Sequence, residues 1–407
     1  MDIQPILATL RRHKTAAALI VLEIALSCAI ICNAVFLITQ RLERMDRPTG
    51  MVDNELVRIN IAGIGDKDRA SALVREDLAA LRAIPGVKAA TSINHVPFDH
   101  SSWNSGVSLE PDQSIPNFSA GIYLGENLTS TLGLRIVEGR DFTPDEYVDW
   151  EAFNEPNAKL ALPSVILTRA AAEKLFPGES ALGKNIYSWN SDDIPHKVVG
   201  VVDTFIRPND NGGADEANLS IVLPTKNMTH GRFVLRTDPA RRDEVIKAAV
   251  ALLEKNSSRR IILEQDTFAT VKDKHYQQDR SMAWLLVAVI VALLVVTALG
   301  IVGLASFWVQ QRTKQIGVRR ALGATRGQIL RYFQTENFLL ATVGIVIGMI
   351  GAYGINQLLM SSYELPRLPA LYLPVGALVL WTLGQLSVLG PARRAAAVPP
   401  AVATRTV

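Results

Sequence analysis

The chain is poor in cysteine, and the two cysteines that it has lie close together. Cys28 and Cys32 both fall in the first apolar segment, and the polar region from residue 45 to residue 280 contains none. This region therefore cannot form disulfide bonds in any redox compartment, and its own core must stabilise it. A cysteine pair four residues apart in an apolar helix favours simple packing over a metal or redox site.

Sequence patterns typical of catalysis are also missing. Residues 178–185 resemble a nucleotide-binding P-loop, but Asn185 stands where a serine or threonine would hold Mg²⁺, and the run follows a helical pattern instead of a strand. We interpret it as a turn, so we expect this chain to have no ATPase site of its own. Gly-x-Ser-x-Gly does not occur, and no Cys/His pair exists outside the apolar segments.

The remaining candidate ligands lack a suitable spacing. His95 and His100 flank Asp99, but this spacing matches neither an i, i+4 helical pair nor a zinc finger, so polar residues of the core or surface are the better interpretation. The run 139–146 has the composition of a turn. Its carboxylates are assigned to turn and capping chemistry: Asp141, Asp145 and Glu146. We therefore predict no catalytic residue and no metal site.

Charge is nearly balanced overall but unevenly distributed. With 42 basic and 39 acidic residues, the net charge of +3 does not indicate nucleic acid, and we predict no nucleic-acid partner. Four segments are almost free of charge and long enough to cross a hydrocarbon core of roughly 30 Å. They are residues 15–38, 283–309, 338–359 and 371–389. The first segment is not followed by a small-x-small cleavage pattern, so we predict that it is an uncleaved membrane anchor.

The stretch between the second and third spans, residues 310–341, orients the chain. Its basic residues are Arg312, Lys314, Arg319, Arg320, Arg326 and Arg331, and no acidic residue precedes Glu336. Loops this basic stay in the cytoplasm, and the basic tail that follows the fourth span is assigned to the same side. We expect both termini in the cytoplasm and residues 45–280 outside. The predicted domains are 1–44 (tail and first span), 45–280 (extracytoplasmic domain and stalk) and 281–407 (three spans and tail).

This basic stretch also predicts a defined local structure. Leu322-Gly323 is typical of a helix stop, and Thr325 is a candidate N-cap for the helix that follows. We therefore expect a short helix near the membrane surface, a break, and an amphipathic run into the third span. On charge alone, we favour orientation of the chain together with contact to anionic lipid headgroups as the explanation of this cluster.

The fold class predicted is a four-span α-helical membrane protein with a large α+β domain inserted between the first two spans. Strand–helix–strand patterns at both ends of region 45–280 predict one lobe, and short strands between them predict a β-rich insertion. Residues 266–282 contain neither proline nor glycine and predict a helix continuous with the second span. Gly344 and Gly348 predict close helix packing against an unidentified partner.

Glu23 lies inside the first span, where a carboxylate is costly and is expected to face a helix or water. Ser27 is one turn away on the same face. A polar contact within a helical interface and solvation near the headgroups are equally good interpretations.

Several stretches resemble the MacB/FtsX-like permeases of ABC transporters. They are 312–325 (RTKQIGVRRALGAT), 132–143 (LGLRIVEGRDFT), 171–184 (AAEKLFPGESALGK) with 198–202 (VVGVV), and 391–401 (PARRAAAVPPA). The resemblance covers nearly the whole chain. Gln315 stands where members usually carry an acidic residue.

The resemblance implies a permease of the bacterial inner membrane with residues 45–280 in the periplasm. It implies a dimer with a second permease copy, identical or different, and two copies of a cytoplasmic ABC ATPase that binds ATP and Mg²⁺, so that no cofactor binds this chain. A periplasmic adaptor and membrane lipids are further implied partners. In this family, the helix between the second and third spans, called the coupling helix, docks in the ATPase. The docking residues that the resemblance implies here are Gln315, Ile316, Gly317, Arg319, Arg320, Leu322, Gly323, Thr325 and Ile329.

Two functions are compatible with this resemblance. One is export or extraction of a substrate, driven by a separate ATPase. The other is FtsX-like mechanotransmission, in which the periplasmic domain regulates a cell-wall hydrolase. A membrane-anchored receptor ranks below both, because it needs neither four spans nor a cytoplasmic helix.

Overall fold

The structure, a computed structural model, describes residues 14–63, 69–99, 101–111, 113–155, 162–188, 194–209, 213, 216–363 and 367–399. It divides the chain into two compact units. The helical unit comprises Met1–Glu43 with Gln278–Val407, and the α+β unit comprises Arg44–Gln277.

The helices of the described residues are α1 (Lys14–Met45), α2 (Ala70–Arg82), α3 (Leu128–Leu132), α4 (Trp150–Phe153), α5 (Arg169–Leu175), α6 (Arg242–Asn256), α7 (Phe268–His275), α8 (Gln277–Gln311), α9 (Thr313–Ala321), α10 (Arg326–Tyr363) and α11 (Tyr372–Ala397). The strands are β1 (Leu56–Gly63), β2 (Val87–Ser92), β3 (Asn104–Val107), β4 (Phe118–Gly125), β5 (Ile136–Gly139), β6 (Val148–Asp149), β7 (Ser164–Thr168), β8 (Asn185–Ile186), β9 (His196–Val202), β10 (Ser220–Lys226), β11 (Arg232–Thr237) and β12 (Arg260–Thr267).

Among the described residues of the helical unit, four helices are long and apolar enough to cross a membrane, namely α1, α8, α10 and α11. The four predicted spans are thereby confirmed. In α1, 61% of the most apolar stretch is buried, against 11% in α8. The first helix is therefore the centre of this unit, and α8 leaves most of its surface open.

Glycines let α10 approach α1 closely. A Cβ atom at Gly348 would lie 2.6 Å from the backbone carbonyl oxygen of Ala25, and one at Gly344 would lie 2.9 Å from that of Val21. The amide of Asn33 on α1 donates to the carbonyl oxygen of Ala352 on α10 at 3.1 Å. The partner that the glycine spacing left open is therefore the first helix.

One sheet of the α+β unit is built from both ends of the inserted region. Its strand order is β12-β1-β11-β2, and all neighbours are antiparallel. Segments β1-α2-β2 and β11-α6-β12 thus interleave as a split β-α-β arrangement. The two helices cover one face, and the core there includes Val57, Leu78, Phe233 and Leu253.

A second, mixed sheet comes from the middle of the region. Its order is β3-β4-β10-β7-β9-β5, with β6 paired to β10 and β8 to β9. A separate buried cluster contains side chains from both sheets, among them Val234 of β11 and Val222 of β10, together with Phe98, Phe268 and Tyr276. The predicted α+β fold class is confirmed.

The predicted continuous helix through residues 266–282 was wrong. Strand β12 continues to Thr267, whose hydroxyl accepts from the backbone N–H of Thr270 at 3.2 Å and caps α7. The helix then stops at Tyr276, which is buried at 2% exposure, before α8 begins. Burial of this tyrosine overrides a local sequence that contains no helix breaker.

Candidate functional site

The link between the second and third spans is a helical hairpin with defined ends. Arg312 leaves helical geometry between α8 and α9, and Gly323 has φ +97°, the left-handed conformation that favours glycine after a helix. The hydroxyl of Thr325 accepts from the N–H of Gln328, whose side chain accepts from the N–H of Thr325 at 2.8 Å. The predicted helix, stop and N-cap are confirmed, and the cap is a reciprocal capping box.

The residues implied for docking do not share one surface. Leu322 is 84% exposed at the tip of the hairpin, and Gln315, Arg319, Gly323 and Thr325 are exposed beside it. Arg320 is half-buried. Three others pack inward and cannot contact a partner directly in this arrangement: Ile316, Gly317 and Ile329. We assign these three to holding the hairpin against the bundle.

One exposed apolar residue of the hairpin was missed from the sequence. Val318 is 50% exposed and lies four residues before Leu322, so the two side chains share a helix face. This face lies opposite Ile316. The i, i+4 spacing was a sequence signal for the pair, but the basic residues around it drew the interpretation toward charge.

Arg312 is not a free member of the basic cluster. Its Nη1 donates to both carboxylate oxygens of Glu336 on α10 at 3.0 and 2.9 Å, with side chains 8% and 1% exposed. The guanidinium also lies 5.3 Å from the ring centroid of Trp308. A buried pair of this kind ties the start of α9 to α10, and removes one charge from the surface that could meet lipid or partner.

Glu23 of α1 packs against α8. A Cβ atom at Gly300 would lie 2.7 Å from one carboxylate oxygen of Glu23, so glycine leaves the room that this side chain occupies. One turn further along α1, the hydroxyls of Ser27 and Thr297 hydrogen-bond at 2.8 Å. The interface interpretation of Glu23 is therefore favoured over solvation near the headgroups.

The P-loop-like run forms turns. It follows helix α5 and leads into strand β8, and both Gly178 and Gly183 have positive φ. The ammonium of Lys184 pairs with Glu179 and lies 4.4 Å from the ring centroid of Phe176. A phosphate cradle requires the opposite order, with a strand before the loop and a helix after it.

His95 is a core residue. Its Nε2 lies 2.8 Å from the carbonyl oxygen of Ile122, and its Nδ1 lies 3.2 Å from that of Ser101. Burial lowers the pKa of His95 to about 4, so the ring is neutral at physiological pH. His100 lies outside the described residues. Among those described, no three His, Cys, Asp or Glu side chains form a group able to hold a metal.

The carboxylates of residues 141–146 do act in a turn. Thr143 and Glu146 form a capping box, and Nη1 and Nη2 of Arg140 donate to the carboxylate of Glu146 at 2.7 and 2.9 Å. The hydrogen bonds from Arg140, together with those from Ser164 and Thr143, lower the pKa of Glu146 to about 2. Asp141 accepts a hydrogen bond from Thr129.

Comparison with known proteins agrees with the architecture. A family model described as the MacB-like periplasmic core domain matches residues 17–253, and one described as the FtsX-like permease C-terminal region matches residues 287–400. The first alone covers more than half of the chain.

Curated relatives match over most of this chain. An uncharacterized ABC transporter permease, YvrN of Bacillus subtilis, is 26% identical over 67% of this chain and 66% of its own length. Macrolide export ATP-binding/permease proteins MacB are similar too. The MacB protein of Bartonella henselae is 29% identical over a match that covers 72% of this chain and 42% of the relative's own length. The MacB protein of Bartonella quintana is 26% identical over a match that covers 98% of this chain and 58% of the relative's own length.

The chain thus spans about two-fifths to two-thirds of these relatives' lengths. Among solved structures, the periplasmic region of MacB from Actinobacillus actinomycetemcomitans aligns with 57% of this chain and 97% of its own, at 18% identity and a TM-score of 0.34.

Proposed function

The chain belongs to the family of ABC transporter permeases that combine a MacB-like periplasmic core domain with an FtsX-like C-terminal region, and from this premise we propose that it converts ATP hydrolysis by an ABC ATPase into movements of its α+β unit. The proposed outcome is export or extraction of a substrate across or from the bacterial inner membrane. In this proposal, the hairpin α9–α10 and both termini face the cytoplasm, and the α+β unit faces the periplasm.

The exposed tip of the hairpin carries the proposal. Val318 and Leu322 offer an apolar anchor, and Arg319 stands beside them with its guanidinium 5.0 Å from the ring centroid of Tyr332. Protein interfaces typically have apolar anchor residues at their centre and polar or charged residues at their rim. Burying a leucine side chain stabilises a complex by about 1.5–3 kcal/mol, which corresponds to roughly tenfold or more in affinity.

Membership of this family also suggests which proteins bind this chain. We propose two ATPase copies and a second permease copy, identical or not, with ATP and Mg²⁺ held by the ATPase. The MacB relatives are named ATP-binding/permease proteins, so the ATPase is either a separate polypeptide or a part of a longer one. A periplasmic adaptor and membrane lipids complete the proposed assembly.

Docking can be tested by co-purification in lipid nanodiscs with a candidate ABC ATPase produced together with this chain. We expect Leu322→Asp, and the double variant Arg319→Glu with Arg320→Glu, to lose the ATPase. Leu263→Asp is the matched control, because Leu263 is 60% exposed on β12 of the α+β unit. Undiminished recovery of the ATPase with the tip variants would refute the docking role.

Orientation has its own test. A cysteine introduced at Ala324 is expected to react with a membrane-impermeant maleimide only after the cells are opened. Labelling from the periplasm would contradict the proposed topology.

The binding partner of residues 45–280 distinguishes transport from mechanotransmission. Binding of a cell-wall hydrolase to these residues, in place of an adaptor or a transported compound, would favour mechanotransmission.

A further inference from the structure

Glu23 is the only charged residue of the first span. Between Lys14 and Arg41, the sequence contains no other acidic or basic residue. At a rise of about 1.5 Å per residue, Glu23 lies roughly 14 Å along α1 from Lys14 and roughly 27 Å from Arg41. Since the hydrocarbon core of a bilayer is about 30 Å thick, the carboxyl group lies deep within it and not among the headgroups.

The helix opposite Glu23 gives a similar depth and supplies no countercharge. Glu23 packs against Gly300 of α8, where an added Cβ atom would lie 2.7 Å from Oε1 of the carboxyl group. Gly300 lies twelve residues before Arg312, a distance of roughly 18 Å along a helix. Residues 281–311 carry no charge at all. The carboxyl group therefore meets a wholly uncharged stretch of α8.

The other long helices offer no charge to Glu23 either. The apolar part of α10 contains one ionisable group, the phenol of Tyr353, and residues 373–392 of α11 contain none. The remaining ionisable groups of α1 are Cys28 and Cys32. The first donates to a backbone carbonyl oxygen of α10 at 3.8 Å, and the second packs against α11. Within the described part of the chain, Glu23 has neither a hydrogen-bond partner nor an ion-pair partner.

The polar groups closest to Glu23 along this contact are neutral. One turn further along α1, the hydroxyls of Ser27 and Thr297 hydrogen-bond at 2.8 Å between the same two helices. A protonated carboxyl group resembles a hydroxyl, because it can both donate and accept a hydrogen bond. A carboxylate at this depth would need a cation or several donors, and the sequence of the four helices supplies neither beside Glu23.

We propose that Glu23 is a proton-binding site within the membrane, and that the bound proton allows α1 and α8 to pack against each other at Gly300. The ligand is a single proton, which binds a carboxylate oxygen and converts the side chain into a neutral carboxyl group. Ionisable residues inside membrane spans are costly and typically serve a function such as proton binding. The proposal requires that α1 and α8 span a membrane, but it does not require an ATPase.

The first test uses dicyclohexylcarbodiimide, a lipid-soluble reagent that reacts with protonated carboxyl groups. The carboxyl group gives its proton to a nitrogen of the reagent, its oxygen adds to the central carbon, and rearrangement leaves a stable N-acylurea. We expect mass spectrometry of the full chain in lipid nanodiscs to show this adduct on Glu23 at pH 7. An ordinary glutamate, with a pKa of about 4.3, is protonated about 80-fold more at pH 5 than at pH 7. For Glu23 we expect the adduct level to rise less than fivefold.

Two comparisons assign the adduct. Glu23→Gln should remove it, and Glu43, which is exposed at the end of the same helix, should stay unmodified at pH 7. A larger rise of the adduct level between pH 7 and pH 5, or no adduct on Glu23 at pH 7, would overturn the proposal. Because the chain is tested alone, this result is independent of whether an ATPase binds the hairpin.

A second measurement tests whether the neutral side chain holds the two helices together. Ser27→Cys and Thr297→Cys are combined in a chain in which Cys28 and Cys32 are replaced by alanine. The two native hydroxyls lie 2.8 Å apart, so an oxidant should join the introduced thiols. At pH 7, we expect Glu23→Gln, a neutral substitute of similar shape, to cross-link as much as the chain with Glu23. Glu23→Lys, which places a charge at the contact, should cross-link less than half as much.

Glu43→Lys is the matched control, because it makes the same change of charge at an exposed position of the same helix. We expect its cross-linking to be unchanged. A cross-link lost in Glu23→Gln would show that a carboxylate charge, and not a bound proton, holds the helices together, and would overturn the proposal. If Glu23→Lys fails to insert into the membrane, Glu23→Gln still decides.

Discussion

Removing one charge of the buried Arg312–Glu336 pair is expected to destabilise the helical unit strongly. The two side chains are 8% and 1% exposed, and both carboxylate oxygens accept from one guanidinium nitrogen. Glu336→Gln leaves a buried arginine without a countercharge, which costs about 3–5 kcal/mol. For a unit of this size, about 2–4 °C is lost per kcal/mol, so the midpoint of thermal unfolding should fall by about 6–20 °C.

The two cysteines provide the assay. Cys28 and Cys32 are 0% and 1% exposed on the central helix, and the chain has no others. A fluorogenic maleimide should therefore react only when the helical unit opens, and midpoints can be compared at one heating rate. Lys314→Gln is the control, because it removes one exposed charge from α9, two residues after Arg312.

A double variant tests the physical reason. Replacing both partners by apolar side chains, Arg312→Met with Glu336→Leu, removes the desolvation cost of both charges and is expected to restore most of the lost stability. The reasoning is refuted if Glu336→Gln melts like the wild type, or if the double apolar variant is as unstable as the single one.

Three further outcomes follow from the structure. Gly348→Leu should lower the free energy of unfolding of the helical unit by about 1–3 kcal/mol in the same thiol assay, since the new side chain would meet Ala25 and Cys28 on α1. Gly354→Leu is its control and should lower it less, because no atom lies within 4 Å of the Cβ position at Gly354. Equal losses in the two variants would contradict the assigned contact. Glu23→Ala, at the contact with Gly300, should change ATPase coupling or dimer stability more than Cys28→Ala does; equal and negligible effects of both would rule this out. The pKa of His95 falls by burial from 6.5 to about 4, so the unfolded chain binds a proton that the folded chain rejects. Stability from this site should be complete above pH 6.5 and decline as the pH falls to 4, and His95→Asn should flatten that part of a urea-unfolding series; an unchanged slope would show that His95 does not cause it.

Local features of the hairpin were predictable because a few adjacent residues encode them. Gly323 and Thr325 specify a helix stop and a cap through their own backbone and side-chain preferences. The docking residues were less predictable, because Ile316 and Ile329 are apolar residues whose burial depends on packing against the rest of the bundle. Sequence alone could not distinguish them from the exposed Val318 and Leu322.

Hydrophobic run length and local turn chemistry determined much of this protein: the four spans, the interrupted basic hairpin, and the α+β character of the inserted region. Only the tertiary structure decided which distant residues meet. Arg312 pairs with Glu336, and Gly348 packs against α1. Tyr276 lies between two helices and contacts Phe98 and Arg44. The physical reason is that span length and turn type depend on neighbours in the chain, whereas burial and ion pairing depend on segments hundreds of residues apart, whose approach no local pattern records.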